Sequence, residues 1–134
     1  MTQLTKIEGI GEQYAQELRE MGIKTTEALL EQGKTPKGRK EIADQTGISS
    51  KLILKWINRA DLFRVKGIGE EYADLLEMTG VDTVPELAQR NPENLHAKLI
   101  EINQEKKLVR QPPSPSQVSR WVEQAKNLPR VISY

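Results

Sequence analysis

A nine-residue phrase occurs twice in this chain, and it restricts the fold more than any other feature. Ile7-Glu8-Gly9-Ile10-Gly11-Glu12-Gln13-Tyr14-Ala15 returns 58 residues later as Val65-Lys66-Gly67-Ile68-Gly69-Glu70-Glu71-Tyr72-Ala73. The correspondence continues through Leu18/Leu76, Gly22/Gly80, Ile23/Val81, Thr25/Thr83 and Leu29/Leu87. A repeat of this length means that one supersecondary unit is used twice, and that each copy helps to bury the other's apolar face. Repeat one spans about residues 4–62 and repeat two about 63–128. Units of roughly 60 residues are marginal alone, so the expectation is a single domain over 1–134 with both repeats packed together. The ends, 1–4 and 129–134, are expected to be flexible.

No stretch alternates with the period of a strand, and helix punctuation is dense. The pattern predicts helices from about Glu12 to Met21, Thr26 to Gln32, Pro36 to Gly47, Ser49 to Asp61, Glu70 to Thr79, after Thr83, Asn91 to Val109 and Ser114 to Asn127. Thr35-Pro36 and Asn91-Pro92 read as N-cap followed by first helical position, and Thr83/Glu86 and Ser114/Gln117 as capping boxes. The predicted class is therefore all-α. One Phe, two Trp and three Tyr leave a mainly aliphatic core, in which Trp56 and Trp121 occupy matching places. The second repeat is seven residues longer between its glycine pair and its Trp (Gly67 to Trp121 against Gly9 to Trp56).

Within each repeat, a tight turn needs backbone angles that Gly9 and Gly67 reach without steric cost. Gly11 and Gly69 allow close approach of another surface just where a helix begins. Ile10 and Ile68 can plug the turn into the core. The first N–H groups of the new helix then face outward, where the helix dipole favours an anion such as phosphate.

These residues resemble a tandem helix-hairpin-helix, as in Holliday-junction branch-migration subunits, bacterial DNA ligases and structure-specific nucleases. More closely, the chain resembles the bacterial family catalogued as domain of unknown function 4332. That family shares the Gly-Ile-Gly-Glu-x-Tyr-Ala phrase and a late Trp-x-x-x-Ala phrase, here Trp56 to Ala60 and Trp121 to Ala125. The resemblance covers about Leu4 to Leu128 and implies two helix-hairpin-helix repeats in one compact helical domain. The DNA-binding relatives imply phosphate contact through Gly9, Ile10, Gly11, Gly67, Ile68 and Gly69. They also imply a monovalent cation at a hairpin; the residues themselves indicate no other cofactor. DNA-binding hairpins usually carry Lys or Arg after the second glycine, whereas this chain has Glu12-Gln13 and Glu70-Glu71.

Net charge is only +1, but its distribution is uneven. Residues 1–32 carry −3, 33–66 carry +6, 67–105 carry −7 and 106–134 carry +5. Each repeat opens acidic and closes basic. The basic stretch between the glycine pairs supplies Lys37, Arg39, Lys40, Lys51, Lys55 and Lys66 as candidate phosphate contacts. Within it, Ala43, Gly47, Ile48, Ile53 and Trp56 fall at the spacing of a helix-turn-helix, with Ser49, Ser50, Lys51 and Lys55 facing outward.

Catalytic chemistry finds little support. There is no cysteine, the single histidine is His96, and no phosphate-cradling lysine loop or serine elbow occurs. No metal site, membrane span or small-molecule substrate is indicated, no secretory leader is visible, and the absence of cysteine fits a cytoplasmic setting. The function expected is a non-catalytic, largely sequence-independent nucleic-acid-binding module with DNA backbone as partner. The alternative is a protein-interaction adaptor or self-associating scaffold that kept the fold without binding DNA.

Overall fold

The computed structural model describes residues 2–134 and is all-helical. The chain divides into two compact units. One runs up to Asp61 and takes in Val131–Tyr134, and the other is Leu62–Arg130.

In the first unit a 3-10 turn at Leu4–Lys6 precedes the glycine phrase. The helices are α1 (Glu12–Glu20), α2 (Thr26–Gly33), α3 (Pro36–Thr46) and α4 (Ser50–Leu62), the last ending one residue into the second unit. Side chains cap three of their starts, Thr35 and Ser49 as the sequence predicts. Thr25 Oγ1 accepts from the Ala28 N–H at 3.0 Å, Thr35 Oγ1 from Gly38 at 3.1 Å and Ser49 Oγ from Leu52 at 3.1 Å. Each bond satisfies a donor that the helix itself leaves open. The apolar stripes of these helices are buried: Ala15 and Leu18 on α1, Leu29 on α2, Ile42 on α3, and Ile53, Trp56 and Ile57 on α4. α3 packs against α1 and α2. Among the described residues the extended pairing of this unit is a single antiparallel bridge, Gln3 with Thr25.

The second unit contains α5 (Glu70–Met78), α6 (Val84–Ala88), α7 (Pro92–Lys106) and α8 (Pro115–Asn127). α8 packs on α6 and α7, and α5 on α7. Its core joins Leu75, Leu76, Leu87, Leu95, Leu99 and Trp121, all 2% exposed or less. Burying a side chain of this size contributes about 1.5–3 kcal/mol.

Three local outcomes differ from the sequence reading. Thr83 does not cap α6 through a backbone N–H; its hydroxyl donates to Glu86 Oε1 at 3.1 Å. α7 stops at Lys106 instead of near Val109, because Lys107 turns left-handed (φ 53°) and donates its N–H to Asn103 O at 2.8 Å. The Asn103 amide then brackets Val109, donating to its carbonyl at 3.2 Å and accepting from its N–H at 3.0 Å.

The third concerns the tail, expected to be loose. Ile132 is 4% exposed, Ser133 N–H donates to Lys34 O at 2.7 Å, and Tyr134 Oη donates to Asn58 Oδ1 at 2.9 Å. A buried isoleucine and main-chain bonds give this segment the anchors that a polar terminus lacks.

Candidate nucleic-acid interface

The two glycine phrases fold alike. Ile10 N–H donates to Ile7 O at 3.1 Å and Ile68 N–H to Val65 O at 3.2 Å, closing the same turn twice. Gly9 and Gly67 stand at φ 96° and 94°, a region that side-chain-bearing residues rarely adopt. Ile7, Ile10, Val65 and Ile68 are buried and hold the turns to the helices beneath. Gly9, Gly11, Gly67 and Gly69 are exposed. Ala15 N–H donates to Gly11 O, and Ala73 N–H to Gly69 O, both at 2.9 Å, so Gly11 and Gly69 are the N-caps of α1 and α5. No side chain caps either helix. First-turn N–H groups have no acceptor inside a helix, so these two helix starts offer donors outward. A β-carbon on Gly11 or Gly69 would meet nothing within 4 Å. Both turns therefore present bare, open backbone.

A tryptophan supports each turn from below. Tyr14 and Trp56 rings lie 5.2 Å apart at 58°, and Tyr72 and Trp121 lie 5.1 Å apart at 57°. Such tilted pairs are favourable beyond simple burial. In the second repeat, Gln124 adds a clamp on the backbone ahead of Gly67. It accepts from Lys66 N–H at 3.1 Å and donates to Lys66 O at 3.3 Å.

The acidic residues after the glycines have arginines around them. Glu12 is drawn along α1 to Arg19 at 3.3 Å. At the second turn, Gly67, Gly69, Glu70, Glu71, Tyr72, Arg110 and Gln111 line an open cleft of about 510 Å³. Tyr72 Oη donates to Gln111 O at 2.9 Å and ties the wall of that cleft to α5. Sequence reasoning missed Arg110. The available signal was the extra length of the second repeat, since Arg110 lies in the connection that makes it longer.

The basic candidates separate into two groups. Lys37 and Lys40 on α3, Lys51 and Lys55 on α4, and Lys66 before the second turn are exposed. Lys51 and Lys55, four residues apart, share one face of α4. Arg39 differs from its expected role as a phosphate contact. It is 8% exposed, and its guanidinium donates to Gly33 O at 2.8 Å and Ser133 O at 2.7 Å, 5.9 Å from the Tyr134 ring centroid. The guanidinium is thus buried and held by two main-chain carbonyls of the first unit, so this charge serves the fold.

Other chemistry is sparse. His96 Nε2 donates to Pro113 O at 3.0 Å, beside a cleft of about 430 Å³ with Glu93, Ser116 and Ser119. That ring nitrogen is used in positioning the Pro113 loop and is not presented to a hydroxyl as a base. Among the described residues no group of three His, Cys, Asp or Glu side chains is arranged to hold a metal, and no helix is long and apolar enough to cross a membrane.

No solved structure matches this chain. The family model described as domain of unknown function (DUF4332) matches residues 8–128. That match takes in both glycine turns, both tryptophans and the connection bearing Arg110, and the chain belongs to this family.

Proposed function

We propose that this chain is a non-catalytic nucleic-acid-binding module that grips DNA backbone with little sequence preference. The observation that carries this reading is the pair of open glycine turns, each leading into a helix start with no side-chain cap. In this reading the turns act as the hairpins of two helix-hairpin-helix elements. An oxyanion seated there accepts from first-turn N–H groups and interacts favourably with the helix dipole. Lys66, Lys37, Lys40, Lys51 and Lys55 add positive charge that attracts the phosphate backbone. The pairing of Glu12 with Arg19 supports it by drawing one carboxylate away from the helix start.

Fluorescence anisotropy on labelled duplex, single-strand and four-way-junction DNA tests the proposal. Binding should be saturable and should fall steeply between about 50 and 200 mM salt, through counterion release. Replacing Lys37, Lys40, Lys51 and Lys55 together by Gln should abolish it. Absence of binding at the lower salt would overturn the reading.

Glu70 and Glu71, both exposed at the second helix start, favour a second reading. A carboxylate there satisfies the dipole itself and repels phosphate. The chain would then be an adaptor whose acidic turn region meets basic surface on a protein partner or on another copy. Association that depends on protein concentration and needs no nucleic acid would support it.

A further inference from the structure

We propose that α3, the turn at Gly47 and α4 form a helix-turn-helix whose second helix, α4, enters the major groove of double-stranded DNA. The inference rests on the nucleic-acid reading above and adds to it a groove and a requirement for duplex. Backbone gripping by the glycine turns requires neither.

The geometry of the segment supports it from the inside outward. α3 ends where Gly47 turns left-handed (φ 75°) and donates its N–H to Ala43 O at 2.9 Å. Thr46 Oγ1 accepts from Ile48 N–H at 3.2 Å and donates to Ile42 O at 2.7 Å, so the turn is bonded on both sides. Ser49 then caps α4. Ile42, Ile48, Ile53 and Trp56 are all 6% exposed or less. These are the positions that keep the two helices of such a motif packed to their own domain, and their burial fixes which face of α4 remains outside.

That outer face carries Ser50, Lys51 and Lys55, all exposed, within the first turns of the helix. The N-terminal part of a recognition helix is the part that reaches base edges. A helix with side chains is about 10–12 Å across and the major groove about 12 Å wide, so α4 fits it end-on or lengthwise. Serine hydroxyls and lysine ammonium groups suit the acceptors displayed there, the N7 and O6 of guanine foremost. Lys37 and Lys40, exposed one turn apart on α3, provide charge for the flanking phosphates. The commitment to duplex DNA comes from this charge complementarity. Of the exposed side chains on the two helices, the lysines outnumber Glu41 and Asp44.

The test is anisotropy of the full chain on one short duplex in three forms: unmodified, saturated with the minor-groove ligand distamycin, and carrying glucosylated hydroxymethylcytosine, which fills the major groove. A Lys51→Gln/Lys55→Gln variant is measured beside the wild type, with circular dichroism confirming helical content. The expected result is binding that survives distamycin and is lost on the glucosylated duplex. The double variant should bind at least about tenfold more weakly at low salt, with a salt slope reduced by about 2. Binding abolished by distamycin yet indifferent to glucosylation would overturn the groove assignment while leaving the glycine-turn reading in place. Absence of binding to every DNA, single-stranded and junction forms included, would overturn both.

Discussion

The indole Nε1 of Trp121 stands 3.0 Å from the point a β-carbon on Gly67 would occupy, and the Trp56 nitrogen stands 3.2 Å from the same point on Gly9. Two residues far apart in sequence thus meet in the same way in both repeats. The glycine is needed twice over, once for its positive φ and once for the aromatic ring beneath it. Gly67→Ala should therefore destabilise the second unit by about 1–3 kcal/mol, since it adds strain and crowding together. Gly69→Ala, with ordinary φ (−102°) and open space around its β-carbon, should cost less than about 1 kcal/mol. Urea unfolding of the two variants separates these roles. Under the proposed function, Gly69→Ala should also weaken DNA binding by obstructing close approach, although the protein stays folded.

Gly38 makes a sharper demand. A β-carbon there would overlap the carbonyl oxygen of Gln32, and backbone cannot swing aside as a side-chain tip can. Gly38→Ala should cost more than about 3 kcal/mol and open the junction between α2 and α3. A thermal melt checks it. A small loss would mean that the two helices move apart readily.

The buried guanidinium of Arg39 depends on the tail. Deleting Val131–Tyr134 removes its acceptor Ser133 O and uncovers the site of Ile132. The expected loss is about 2–4 kcal/mol, from an underused buried charge together with a vacated apolar site. Hydrogen exchange should show the loss in α2, α3 and α4. Arg39→Met should lower stability in the same elements. If Arg39 instead served only to hold phosphate, Arg39→Met would weaken DNA binding and leave the protection pattern unchanged.

Acid should weaken the contact between Glu27 and the chain near Thr2. Partial burial raises the Glu27 pKa, but hydrogen bonds outweigh it and the value lies below the ordinary one. Thr2 N–H donates to both carboxylate oxygens, at 3.0 and 3.2 Å, and Thr26 Oγ1 donates to Oε1 at 3.2 Å. With the folded-state pKa depressed, the stabilisation is full above the unfolded value and is lost as pH falls through the folded one. NMR titration of the Glu27 carboxyl should give a midpoint below that of a free glutamate. Glu27→Gln should remove this part of the acid dependence.

Much of the helical frame was legible because its signals are local. Thr35, Ser49, Asn91 and Ser114 sit where caps were expected, and Trp56 and Trp121 lie in the core as their helical stripes imply. The duplicated glycine phrase located both turns and their buried isoleucines. What could not be read depends on residues distant in sequence. Nothing around Arg39 distinguishes it from Lys37 or Lys40, yet the carbonyl that buries it lies 94 residues away. Arg110 was likewise one charge among many until the longer connection placed it in the cleft beside Gly67 and Gly69. Propensity and periodicity carry no information about such pairings.

Translation runs from the N- to the C-terminus, so the first unit begins to appear before the second and is completed after it. α1 to α4 are translated while Ile132, Ser133 and Tyr134 do not yet exist, and Leu62–Arg130 must be made in between. Throughout that interval Arg39 lacks the Ser133 carbonyl and the pocket of Ile132 stays open. The second unit has all of its parts before the first does. On a nascent chain, the later half therefore has the opportunity to settle first, and Val131–Tyr134 close the half that was started earlier.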